Sequence, residues 1–290
     1  MLRHILAAIL AASLLGLMAP HPAAAEDQTE QNHPYEPPPP PKLKWSFAGP
    51  FGHYDQAQLQ RGFKVYREVC ANCHGLSLLS FRNLGEPGAL GYSEAQIKAL
   101  ASEYKVQDGP NDQGEMFERN GRPADRFPAP FPNDNAARAR YNAVPPDFSV
   151  IAKARTYERG FPWFIVDAFT QYQEHGVDYI AAYLGGFEDK PPPKVNIPAG
   201  LQFNKYFPGG GNSMPKPVQI YTGLVTYDDG TPQTVEQYSR DVAAFLMWAA
   251  EPHLEARKRI GFQVMMFLIV FAGLLYFTKK KVWSAVKGHA

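Results

Sequence analysis

The sequence predicts a mainly α-helical domain with long irregular insertions, exported from the cytoplasm and held by one C-terminal transmembrane helix. Three observations carry this prediction. Apolar residues recur at helical spacing in short capped stretches; 27 prolines and 24 glycines interrupt the 290 residues between them; and one uncharged apolar run near the C-terminus is long enough to cross a bilayer. No alternating run is long enough to require a large sheet, and no internal repeat is present. A net charge of +1 without a central basic stripe argues against a nucleic-acid partner.

Residues 1–25 read as a signal peptide. Arg3 and His4 give a positive start, Ile5 to Met18 an apolar run, and "AAA" at 23–25 a small-residue cleavage site before Glu26. The apolar run is too short to span a membrane, so cleavage is expected and the mature chain lies outside the cytoplasm. Residues 26–44 end in "PPPPPKLK" and are expected to form an extended, Pro-rich N-terminal strap or tether.

Residues 45–256 make the exported domain. Its first helix is "YDQAQLQRGFKVYREVC", with Asp55 as N-cap and Leu59, Phe63, Tyr66 and Cys70 spaced along one face. "SEAQIKALASEY", capped by Ser93, and "RGFPWFIVDAFTQY" are shorter helical stretches among Pro- and Gly-rich connections. The last helix, in "DGTPQTVEQYSRDVAAFLMWAAEPHLEARKR", is expected to start at Thr231 and Pro232. It presents Val235, Tyr238, Val242, Phe245 and Leu246 on one face.

The membrane anchor is assigned to residues 257–279. "IGFQVMMFLIVFAGLLYFT", from Ile260 to Thr278, would rise roughly 28 Å as a helix, near the hydrocarbon thickness. It has no polar face to meet water, and "RKR" and "KKK" bracket it. The basic flanks are nearly balanced, so the orientation follows from the signal peptide, with residues 280–290 as a cytoplasmic tail.

Cys70 and Cys73 are the only cysteines, and His74 follows at once in "REVCANCHGLS". Chance would produce Cys-x-x-Cys-His in roughly two of ten thousand such chains. Two thiols on one helical turn can each form a thioether with a haem vinyl group, and the next residue projects its imidazole beneath the iron. A zinc site would need further ligands at suitable spacing, and a thioredoxin-like dithiol a βαβ context. One covalently bound haem c is therefore expected, with His74 on the iron.

The opposite iron position has soft candidates in Met116, Met214 and Met247 and nitrogen candidates in His33, His53, His175 and His253. Met247 sits on an amphipathic helix and reads as core; Met116 lies in the acidic loop "NDQGEMFER". Met214, in "GGGNSMPKP", leads because glycines permit close approach to a flat cofactor and prolines stiffen the loop. A histidine or an open position is the alternative. A thioether would make the iron six-coordinate, hence a relay; an open position would make the protein a membrane-anchored haem enzyme or sensor.

Four blocks carry a closer resemblance: "WSFAGPFGHYDQAQLQRGFKVYREVCANCHGLSLLSFRNL", "VPPDFSVIAKAR", "FNKYFPGGGNSMPKPVQIYTGLVTYDDGTP" and "DVAAFLMWAAEPHLEARKRIGFQVMMF". In this order they resemble the bacterial cytochrome c1 family, the haem subunits of quinol:cytochrome c oxidoreductase (the bc1 complex). The resemblance implies a class I cytochrome c-like domain with one C-terminal anchor, single-pass in the inner membrane with the haem domain on the periplasmic side. It implies Cys70 and Cys73 as haem attachment points, His74 and Met214 as axial ligands, and Arg155 as the partner of a haem propionate. Pro145 or Pro146 would offer a carbonyl to the His74 ring.

The implied function is one-electron transfer from a Rieske iron–sulfur protein to a cytochrome c, beside cytochrome b in a dimeric complex, with no bond-making chemistry in this subunit. A haem subunit of an oxidase is the other electron-transfer reading. The acidic run Asp108, Asp112, Glu115 and Glu118 would help steer a basic cytochrome c acceptor.

Overall fold

The computed structural model describes residues 35–156, 161–163, 165–166, 175–193, 195–212, 214 and 220–287. The segment expected as a signal peptide, the strap before residue 35, His33 and most of the "RGFPWFIVDAFTQY" stretch lie outside the described residues.

Helix α1, Gln56–Val65, begins where the sequence places its cap, Asp55 Oδ1 accepting the Gln58 amide at 3.0 Å. It buries Leu59, Phe63 and Val65. The chain then widens into a π turn over Tyr66–Cys70, where the Ala71 amide reaches back to the Tyr66 carbonyl at 2.8 Å. Such a bulge re-aims the side chains after it, and here those are the Cys-x-x-Cys-His residues. A 3₁₀ turn, Phe81–Gly85, precedes α2, Glu94–Ser102, which carries a reciprocal Ser93–Gln96 capping box.

Strands β1, Lys105–Asp108, and β2, Phe117–Asn120, pair antiparallel as a hairpin, with Lys105 opposite Asn120 and Asp108 opposite Phe117. Two short helices follow, α3 (Asp134–Tyr141) and α4 (Ile151–Ala154). Helix α5, His175–Gly185, leads to a two-residue antiparallel pair, β3 (Gln202–Phe203) with β4 (Gly211–Asn212). The sheets are as small as the missing alternation implies.

The organising element is α6, Val235–Ala250, buried along most of its length and packed against α1, α4 and α5. At the α1–α6 crossing, a Cβ on Gly62 would lie 2.1 Å from the Asp241 carbonyl oxygen and 2.7 Å from Phe245 Cβ. The helices therefore touch backbone to backbone. Asp241, fully buried beside this crossing, is paired with Arg61 Nε at 3.0 Å and accepts from Gln237 Nε2 at 2.9 Å.

The start of α6 corrects the sequence expectation. Its N-cap is Thr234, whose Oγ1 accepts the Gln237 amide at 3.2 Å, whereas the Thr231 amide donates to Asp229 Oδ1 at 3.0 Å. Asp229 thus holds Thr231 in a turn of its own, and the helix starts only where its side chains reach the core.

The described part of the strap, residues 35–44, is tied to the domain at both ends. Tyr35 donates from its hydroxyl to the Lys205 carbonyl at 3.0 Å and packs edge-on against Phe203. At its other end the Leu43 amide and the Trp45 indole N–H both donate to Asp178 Oδ1, at 3.1 and 2.8 Å.

Helix α7, Leu254–Lys287, follows a break at Pro252. Its 34 residues would extend about 51 Å, so the helix outruns the roughly 30 Å apolar layer and continues into the segment expected as a tail. From Ile260 to Phe277 large apolar side chains are exposed, the pattern of a span facing lipid. Its first turns are fastened to the domain: Glu255 Oε1 accepts the Tyr54 amide at 2.8 Å, and Lys258 Nζ donates to the Phe47 carbonyl at 2.5 Å.

Candidate functional site

The Cys-x-x-Cys-His turn forms one wall of a cavity of about 280 Å³ whose lining is predominantly apolar. After the π turn, the Cys73 and His74 amides both return to the Cys70 carbonyl, at 3.0 and 2.9 Å, and Tyr66 donates to the His74 carbonyl at 2.8 Å. Both thiols are free and line the cavity. Burial, together with the nearby Cys73, pushes the Cys70 thiol up to about 12. Cys73 Sγ lies 3.3 Å from the Tyr141 hydroxyl.

His74 is oriented by a segment about 70 residues away. Its Nδ1 is 2.8 Å from the Pro146 carbonyl oxygen, so of the two prolines expected to offer this contact, Pro146 makes it. A carbonyl can only accept, which places the proton on Nδ1 and leaves the Nε2 lone pair available. The ring stacks on Phe148 with centroids 4.0 Å apart. Burial lowers the imidazole pKa, outweighing the opposite pull of Pro146 and Asp147, which favours the neutral form a metal ligand needs.

Asp147 latches this segment to the motif. Its Oδ2 accepts the Ser77 amide at 2.9 Å and its Oδ1 the Ser149 amide at 2.8 Å, while the Phe148 amide donates to the Gly75 carbonyl at 2.8 Å. The "PPDFS" and "HGLSL" stretches are thereby zipped together without forming a strand pair.

Met214 lines the same cavity. Its amide donates to Asn212 Oδ1 at 2.6 Å, and its sulfur accepts from the Tyr183 hydroxyl at 3.5 Å. The other sequence candidates among the described residues do not line the cavity. Met116 is 62% exposed near the hairpin, Met247 is fully buried in the α6 core, His53 and His253 are exposed, and His175 is buried within α5.

Among the described residues, Arg155, at the end of α4, is the one Lys, Arg, Asp or Glu side chain lining the cavity. A single cation in an apolar pocket suits the carboxylate of an otherwise apolar ligand. The acidic run is altered by pairing: Asp108 binds Arg119, which also holds Asp125 at 2.6 Å.

Sequence reasoning missed Phe148, Tyr183 and Asn212. Tyr179, Ile180, Tyr183 and Leu184 all line the cavity, and their spacing along α5 was the signal for the tyrosine. Among the described residues, the donors are two thiols, a neutral imidazole and a thioether around an apolar cavity with one arginine. They fit a covalently attached haem, whose ring supplies the iron ligands that the protein does not.

The profile of the cytochrome C1 family matches residues 45–286. The chain is 66% identical over 246 residues to the "Cytochrome b/c1" of Bradyrhizobium diazoefficiens, covering 84% of this chain and 36% of that protein. It is 55% identical over 245 residues to the "Cytochrome c1" of Blastochloris viridis, covering 84% and 86% of the two chains. It is 42% identical over 250 residues to the "Cytochrome c1-2, heme protein, mitochondrial" of Solanum tuberosum, covering 86% and 87%. A family profile covering the domain and the anchor, and relatives matched along most of their length, agree with the donor set around the cavity: the chain belongs to the cytochrome c1 family.

Proposed function

We propose that Cys70 and Cys73 hold the haem covalently, that His74 and Met214 are its axial ligands, and that Arg155 pairs with a propionate. The single observation supporting this reading is that His74, with its Nδ1 committed to Pro146, and Met214, with its sulfur in the cavity, line one apolar pocket beside both thiols. The protein is an electron carrier with one haem c, the haem subunit of a bc1 complex that also contains cytochrome b and a Rieske iron–sulfur protein.

When bound, the haem supplies a one-electron ferric/ferrous couple. The residues of the chain do the rest. The π turn and the Cys70 carbonyl set the spacing of the two thiols. Pro146 and Phe148 fix the plane and tautomer of His74, and Asp147 keeps both in place. Met214 would supply a soft thioether to the iron, which favours the reduced state. The apolar walls exclude water and raise the potential further.

The acceptor in this reading is a cytochrome c, and the complex is dimeric. The domain spanning residues 45–256 faces the periplasm, following removal of residues 1–25, with residues 257–279 as the anchor and the basic C-terminal end in the cytoplasm. Substituting Met214→Lys tests the ligand assignment. The expected result is a potential lower by about 0.2 V or more, within the ~0.8 V that axial ligands command, with loss of quinol-dependent cytochrome c reduction. An unchanged potential in that variant would rule Met214 out.

A further inference from the structure

We propose that Tyr183 is a positioning residue for Met214: its hydroxyl donates a hydrogen bond to the thioether sulfur, selecting the lone pair that faces the cavity and weakening the sulfur as a donor. The inference rests on Met214 being the distal ligand.

Tyr183 is on α5 and lines the same cavity, with its hydroxyl oxygen 3.5 Å from Met214 Sδ. It is firmly held. Its carbonyl accepts from Asn204 Nδ2 at 2.7 Å, Asn204 is itself fully buried, and its ring packs edge-on against Phe187 and face-on against Tyr179. A phenylalanine would fill the same ring space, so the hydroxyl is the part that needs a partner.

The direction of this hydrogen bond is set by the acceptor: a thioether sulfur has no proton to give, so the phenol is the donor. Asn212 Oδ1 accepts the Met214 amide at 2.6 Å. The phenol gives its proton to the sulfur, and Asn212 holds the backbone of the same residue. The backbone of Met214 is thus held from β4 by Asn212 and its sulfur from α5 by Tyr183.

A thioether sulfur has two lone pairs. With one accepting the phenol proton, the other is presented to the cavity, and electron density drawn toward the phenol is less available to oxidised iron. Hydrogen bonding around a ligand is one of the means by which a protein sets a haem potential. The effect expected of Tyr183 is a raised potential.

The test is an equilibrium redox titration of the full-length, haem-loaded protein with Tyr183→Phe. The expected result is an about fivefold shift of the ferric/ferrous ratio toward ferric, a fall of roughly 40 mV at 59 mV per tenfold for one electron. A second protein carries 3-fluorotyrosine at 183, whose more acidic hydroxyl is a stronger donor; its potential should rise. A packing role alone would alter stability without producing shifts of opposite sign. If Tyr183→Phe leaves the potential unchanged or raises it while Met214→Lys lowers it, the inference about Tyr183 fails and the ligand assignment stands. If neither substitution moves the potential, both fail. Should Tyr183→Phe not load haem, the direction of the fluorotyrosine shift decides alone, a rise supporting the hydrogen bond and no rise overturning it.

Discussion

At His74 the function depends on an atom that the ring does not own. The Pro146 carbonyl settles which nitrogen carries the proton, and Pro146 is held in register by Asp147 beside it. Burial alone would raise the Asp147 pKa, but hydrogen bonds from Ser149 and Ser77 keep it below the usual carboxylate range. Replacing it, as in Asp147→Ala, strands two amides that now have partners. The expected cost is about 1–3 kcal/mol, read as a lower denaturation midpoint, with a spectral change at the haem as His74 loses its fixed plane. The motif itself was legible in the sequence because Cys70, Cys73 and His74 lie within five residues. The latch was not, since residues 146–149 reach 74–78 across some 70 positions without any periodic pattern.

Among the elements, the caps at Asp55 and Ser93 were legible because their partners are three residues away. At α6 the sequence reading started the helix at Thr231, and the turn made by Asp229 moves the cap to Thr234. The β3–β4 pair, two residues a side, is too short for alternation to register. Gly62 exposes another limit: a glycine inside a helix reads as a weakness until the partner helix is known. Because a Cβ there would meet the Asp241 carbonyl and Phe245, Gly62→Ala should force α1 and α6 apart. The expected destabilisation is about 1–3 kcal/mol by denaturant titration, despite the better helix propensity of alanine.

The hairpin offers a pH test. Arg119 holds Asp108 and Asp125, and its hydrogen bond pulls the Asp125 carboxyl down to about 2. A carboxylate with a depressed folded pKa stabilises fully above its unfolded pKa, near 3.8, and loses that contribution as the pH falls through about 2. Amide protection in residues 105–120 should therefore weaken between about pH 4 and 2. Arg119→Gln should remove that dependence; identical profiles in both proteins would contradict the pairing.

For the whole molecule, the apolar exposure of α7 and the fastening of its first turns to the Phe47–Tyr54 loop describe a haem domain held close to a bilayer by one span. The span was legible because 19 residues without charge have few other uses, whereas the helical continuation to Lys287 is backbone order that composition does not encode. The central claim is that His74 and Met214 close the iron on both sides, making the protein a relay with no vacant position. The most direct test is the absorption spectrum of the dithionite-reduced, full-length protein before and after adding carbon monoxide. A spectrum unaffected by carbon monoxide at neutral pH is the predicted result; a carbon monoxide adduct in the wild-type protein would contradict the claim.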